Sequence, residues 1–76
     1  MSKSYVVLHL YDAFTKGEPV TVEKCCEAYD ISIPTFRRYI ALLRDYFMEE
    51  YSYEIVYSKT RNTYYLRKDK LPTDLS

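Results

Sequence analysis

The chain has 76 residues, 47% of them hydrophobic, with 11 basic side chains balanced by 11 acidic ones. That length gives room for one small core and a few elements, which argues against a self-contained enzyme of ordinary size. A net charge of zero argues against general, sequence-indifferent nucleic-acid binding, whose affinity rests on neutralising phosphates, so any such binding must come from a local patch.

From residue 4 to residue 16, Val7, Leu8, Leu10, Tyr11 and Phe14 recur at spacings of three and four, the stripe of an amphipathic helix, with Ser4 as its N-cap. Gly17, the only glycine, stands where a helix C-cap sits, and Pro19 keeps the helix from resuming. Val20 reads as a short extended segment. Thr21 caps a second helix running to about Tyr29, with Val22, Cys25, Cys26 and Tyr29 turned inward. Asp30, whose side chain tolerates a left-handed turn, and Ile31 break it.

Ser32 caps the third helix and Pro34 fits its first turn. Phe36, Ile40, Leu43 and Phe47 fall within about 60° of one another on a helical projection. Opposite them lie Pro34, Arg38, Ala41 and Asp45, flanked by Arg37 and Thr35, so the helix has a packed side and a presented side. After Glu50 the period changes to two. Tyr53, Ile55 and Tyr57 alternate with Glu54, Val56 and Ser58, residues 59–62 are polar turn material, and residues 63–67 alternate again with Tyr64 and Leu66 on one face. A β-hairpin is the economical reading. Residues 68–76 carry Pro72 and no periodicity, so the domain is predicted at 1–67 and a frayed tail or linker at 68–76.

Cys25 and Cys26 are neighbours and cannot staple distant segments, and with His9 they fall short of the four ligands of a structural zinc site. No metal or cofactor is expected. The apolar run at residues 5–8 is far shorter than the roughly 20 residues of a membrane span or the 7 to 15 of a signal-peptide core. A cytoplasmic protein is expected, and two free thiols fit that compartment. His9 could act as a base and a cysteine as a nucleophile, yet no acidic orienter or glycine-rich oxyanion loop accompanies them. No catalytic residue is assigned, and the cysteines read as small apolar fillers against the third helix.

The order helix, short strand, helix, tight turn, helix, hairpin predicts an α+β winged helix-turn-helix, three helices packed on a C-terminal β-hairpin. In such a module the third helix faces the major groove. Residues 21–43, TVEKCCEAYDISIPTFRRYIALL, carry Thr21, Glu23, Glu27, Ser32, Thr35, Arg38, Ile40 and Leu43. With these the segment resembles the winged-helix domain at the N-terminus of WYL-type and related bacterial transcriptional regulators, whose pattern is roughly T-x-E-E-L-A-E-x-L-G-V-S-x-R-T-I-x-R-D-I-x-x-L. Tyr64-Tyr65-Leu66 looks like that family's closing strand, so the resemblance covers about residues 5–67. It implies sequence-specific binding of double-stranded DNA, commonly as a dimer, by a domain usually followed by a ligand-sensing one. The chain departs from the pattern at Asp30, in place of glycine, at Ile33 and Pro34, where polar or basic groups often face the bases, and at Tyr39, in place of aspartate.

Without the family, Arg37 and Arg38 on the presented side can fork onto guanine edges or phosphate oxygens; the ordinary alternative is a solvated face paired with acidic neighbours. Ser32 and Thr35, beside Pro34 at the helix N-terminus, offer hydroxyls and free amides to a phosphate, although capping alone also explains Ser32. Lys59, Arg61, Arg67, Lys68 and Lys70 surround a single acid, Asp69, and read as a basic wing lying along the duplex backbone. The alternative is edge-strand protection by charge. Asp45, Glu49, Glu50 and Glu54 are expected to face elsewhere. Of the ten tyrosines, Tyr11, Tyr29, Tyr53 and Tyr64 are assigned to packing, while Tyr57 and Tyr65 stay open as wing contacts to nucleic acid or protein. Two functions follow: duplex DNA binding within a transcriptional regulator, through Ser32, Pro34, Thr35, Arg37, Arg38, Lys59, Arg61 and Arg67, or a winged-helix protein-interaction or dimerisation module.

Overall fold

A computed structural model describes residues 2–68: α1 (Lys3–Lys16), α2 (Val22–Tyr29), α3 (Ile33–Tyr51), β1 (Glu54–Ser58) and β2 (Thr63–Arg67). The strands form an antiparallel hairpin in which Ile55 faces Leu66 and Tyr57 faces Tyr64. Three helices followed by a hairpin is the winged-helix layout expected from the sequence. No helix among the described residues is long and apolar enough to cross a membrane.

Each helix begins on a hydroxyl and ends on a left-handed residue. Ser2, Thr21 and Ser32 accept the amides of Tyr5, Lys24 and Thr35, each at 3.3 Å. Gly17, Asp30 and Ser52 then take φ values of 78°, 55° and 60°. Beyond each, the next amide donates five or six residues back, Glu18 to Ala13, Ile31 to Cys26 and Tyr53 to Phe47, which satisfies carbonyls the helix leaves open. Thr21→Ala and Ser32→Ala are each expected to cost about 1 kcal/mol. The melting temperature, followed by circular dichroism, should fall by roughly 4–8 °C; an unchanged transition would show that the hydroxyl does not carry the cap.

The first helix corrects the sequence reading. Its cap is Ser2, two residues before Ser4, and its buried line is Val6, Leu10 and Phe14, while Leu8 is 65% exposed. Val7 and Tyr11 only border the core. The unbroken run Val6-Val7-Leu8 offers two phases for one stripe, and contact with α3 selects the one spaced by four. The core is completed by Val20, by Phe36, Ile40, Leu43 and Phe47 of α3, and by Ile55. Phe47 stacks on Tyr11 at 5.3 Å and meets Phe14 edge-on at 6.3 Å, geometries that aromatic quadrupoles favour.

Val20 forms a single bridge with Tyr64 rather than a strand. Tyr64 N–H donates to Val20 O at 2.7 Å and Val20 N–H to Tyr64 O at 3.3 Å, so the α1–α2 connection is tied to the hairpin. Tyr64 also meets Phe36, in the first turns of α3, edge-on at 5.7 Å. The hairpin therefore runs back along α3: its open end follows the C-terminus of that helix, and its tip lies toward the N-terminus. Lys68, the first residue of the predicted tail, donates from Nζ to Thr15 O at 2.9 Å. The rest of the predicted tail lies outside the described residues.

Candidate nucleic-acid interface

The run of the hairpin brings two predicted groups to one end of the molecule. Arg37 and Arg38, one turn into α3, and Lys59 and Arg61, in the tip between β1 and β2, are all exposed toward that end. Among the described residues the ion pairs are Lys16–Asp12 and Arg67–Glu54. These four cations take part in neither. Glu49, Glu50 and Glu54 lie at the other end of α3 and the open end of the hairpin. Along α3, Arg37 and Glu50 are thus separated by roughly 20 Å.

Arg44 belongs to the basic group and went unassigned in the sequence. It is exposed seven residues after Arg37, two turns along the same face. The signal is a spacing of seven, hidden because Arg44 stands next to the core residue Leu43. Asp45 is exposed two turns beyond Arg38. It therefore shares the presented side instead of facing elsewhere, which makes the Arg38 side of the helix less favourable to an anion beyond Ala41, while Arg44 extends the Arg37 side.

The start of α3 offers an anion less than expected. Ser32 Oγ accepts from Thr35 N–H and donates to Thr35 Oγ1 at 2.9 Å, Phe36 N–H donates to Ser32 O, and Pro34 has no N–H. The Thr35 and Phe36 amides are thus engaged from within. The Thr35 hydroxyl keeps its own hydrogen to donate, and Pro34 is exposed beside Ile33.

Arg67 and Glu54 correct the picture of a uniformly basic wing. They face each other across the hairpin and join side chains, both somewhat under half exposed. Arg67 is thereby held on an acid that was expected to face away, a pairing visible only once the register is known. An exposed pair of this kind adds at most about 1 kcal/mol. Glu54→Gln should therefore leave the unfolding midpoint nearly unchanged while freeing one cation. If the wing meets phosphates, the salt slope of duplex binding steepens by about one, and an unchanged slope would place Arg67 away from the backbone. Lys68 is held on Thr15 O, and Asp69 and Lys70 lie outside the described residues.

The remaining candidates separate as follows. Tyr11, Tyr29, Tyr53 and Tyr64 pack against the core as expected. Tyr57 and Tyr65 are 42% and 43% exposed. Tyr57 donates to Asn62 Oδ1, which stiffens the tip, and Asn62 is itself left-handed at φ 55°. Tyr65 lines a cleft of about 600 Å³ with Arg61 and the Gly17–Glu18–Pro19 turn. Burial, with Cys26 beside it, pushes the Cys25 thiol above its ordinary range and withholds the reactive thiolate. His9 sits between the rings of Tyr5 and Tyr29 at 4.4 and 5.8 Å, and no three His, Cys, Asp or Glu converge among the described residues. No family model, no curated protein and no solved structure matches the chain.

Proposed function

We propose that this protein binds double-stranded DNA, placing the first half of α3 in the major groove and the hairpin tip along the phosphate backbone, as part of a transcriptional regulator working in the cytoplasm. The observation that supports this most is the gathering of Arg37, Arg38, Lys59 and Arg61 at one end of a neutral molecule, with Glu49, Glu50 and Glu54 at the other. A duplex meets a positive end while the overall balance limits adhesion elsewhere. Arg37 and Arg38 supply forks for base edges or phosphates, the Thr35 hydroxyl supplies a hydrogen bond, and Lys59 and Arg61 supply charge.

The test is fluorescence anisotropy against a mixed-sequence duplex at about 50 and 200 mM salt, where several phosphate contacts cost orders of magnitude in affinity. A steep loss is expected; absence of binding at the lower salt would reject the reading. Lys59→Ala and Arg61→Ala should each lower the salt slope by about one, and an unchanged slope would remove the wing from the interface. One observation favours a second reading, a protein-interaction module: Ile33, at the start of the presented side, is 48% exposed beside Pro34. On that reading the arginine variants bind duplex no worse than the parent and lose a protein partner instead.

A further inference from the structure

An exposed apolar feature lies on the α1–α3 face rather than at the hairpin tip. Between α1 and α3 runs a groove of about 430 Å³ walled by Val7, Leu8, Tyr11, Leu42 and Tyr46. Leu8, Leu42 and Tyr46 are 65%, 48% and 44% exposed. Leucines so placed contribute little to the fold they belong to, and a contiguous apolar strip on a small surface marks an interaction site. The strip continues through Tyr46 to Tyr51, whose rings are 6.1 Å apart.

We infer that the groove takes a second copy of this chain, the two α1–α3 pairs packing face to face and antiparallel about a two-fold axis. Three features of the strip select this occupant. Leu8 lies beside Leu42 and Tyr11 beside Tyr46, so α1 and α3 advance in the same general direction and a half-turn lays each pair over its own image, as an isologous contact requires. The two ends carry opposite charge: Lys3 borders the groove where the helices begin, and Glu49 and Glu50 follow within about one turn of Tyr46 where they finish. Antiparallel pairing sets each lysine toward the partner's acids, whereas parallel pairing sets like charges together. The size also fits. Two helices side by side over about 20 Å give a patch of the order of 600 Å² per copy, near the lower bound for specific association, which corresponds to a dimer of micromolar rather than nanomolar strength.

The association is independent of the duplex reading, and its test contains no DNA. It leaves Arg37 and Arg44 uncovered, since they lie roughly 150° round α3 from Leu42 and Tyr46, whereas Arg38, one turn before Leu42, stands at the rim of the same strip. Sedimentation of the full chain between about 5 and 500 µM should show a monomer–dimer equilibrium centred in the tens of micromolar. Leu8→Glu and Leu42→Glu should each weaken it at least tenfold, with the helical circular dichroism of the parent, since both side chains are exposed. Lys3→Glu should weaken it roughly three- to tenfold, and adding Glu49→Lys and Glu50→Lys in the same chain should restore it. A chain that stays monomeric at 500 µM overturns the proposal and leaves the groove to residues 69–76 or to a partner of other sequence. Dimers indifferent to both leucine variants overturn the surface, and dimers indifferent to Lys3→Glu overturn the antiparallel arrangement.

Discussion

Phe47→Ala is expected to remove about 3–5 kcal/mol of stability, the range for truncating a buried phenylalanine. Its ring is fully buried and touches Tyr11, Phe14, Tyr46 and Tyr51, so it is the residue on which α1, the end of α3 and the aromatic groove converge. A domain of this size has roughly 4–11 kcal/mol in total, so the variant should be largely unfolded at 37 °C. Urea unfolding followed by circular dichroism measures the loss. Tyr57→Ala, at an exposed ring, should lose far less. Equal midpoints for the two would show that the core is not centred where Phe47 places it.

Combining Arg37→Ala with Arg38→Ala should weaken duplex binding by about 25-fold or more without moving the melting temperature. Each fork lost is worth about 1–3 kcal/mol, or roughly 5- to 150-fold. Neither arginine takes part in an ion pair among the described residues, so little folding energy leaves with them. Two unrelated duplexes in parallel titrations separate the roles: a loss common to both marks a phosphate contact, and a loss confined to the preferred one marks a base contact. Arg44→Ala should behave as the milder, phosphate-type case. A double variant that binds like the parent would end the assignment of α3 as the reading element.

Most of the fold was legible because its signals are local. Thr21 and Ser32 announce their helices by hydroxyl chemistry, the spacing of Phe36, Ile40, Leu43 and Phe47 gives the packed face of α3, and alternation around a polar turn gives the hairpin. What escaped was decided by partners distant in sequence. The phase of α1 depends on which of several adjacent apolar residues meets Phe47, and the bond between Arg67 and Glu54 depends on the strand register. Ser52 was invisible for another reason: serine rarely takes the left-handed conformation, and the C-cap after Tyr51 is imposed by the turn into β1. The candidate interface divides similarly. Arg37, Arg38, Lys59 and Arg61 could be named from charge and face, whereas their gathering at one end follows from the direction in which the hairpin folds back.

The bridge between Val20 and Tyr64 joins residues 44 positions apart, and a ribosome delivers them in that order. All three helices exist as sequence before Tyr64 does, and until it arrives Val20 has no backbone partner and Phe36 lacks its covering ring. Such long-range closure is slow relative to helix formation, because the loop entropy is lost before the contact forms. The segment carrying Arg37 and Arg38 is therefore held in its final orientation only after the hairpin has been made, and a nascent chain interrupted within the hairpin would have the arginines without the rigid frame that aims them.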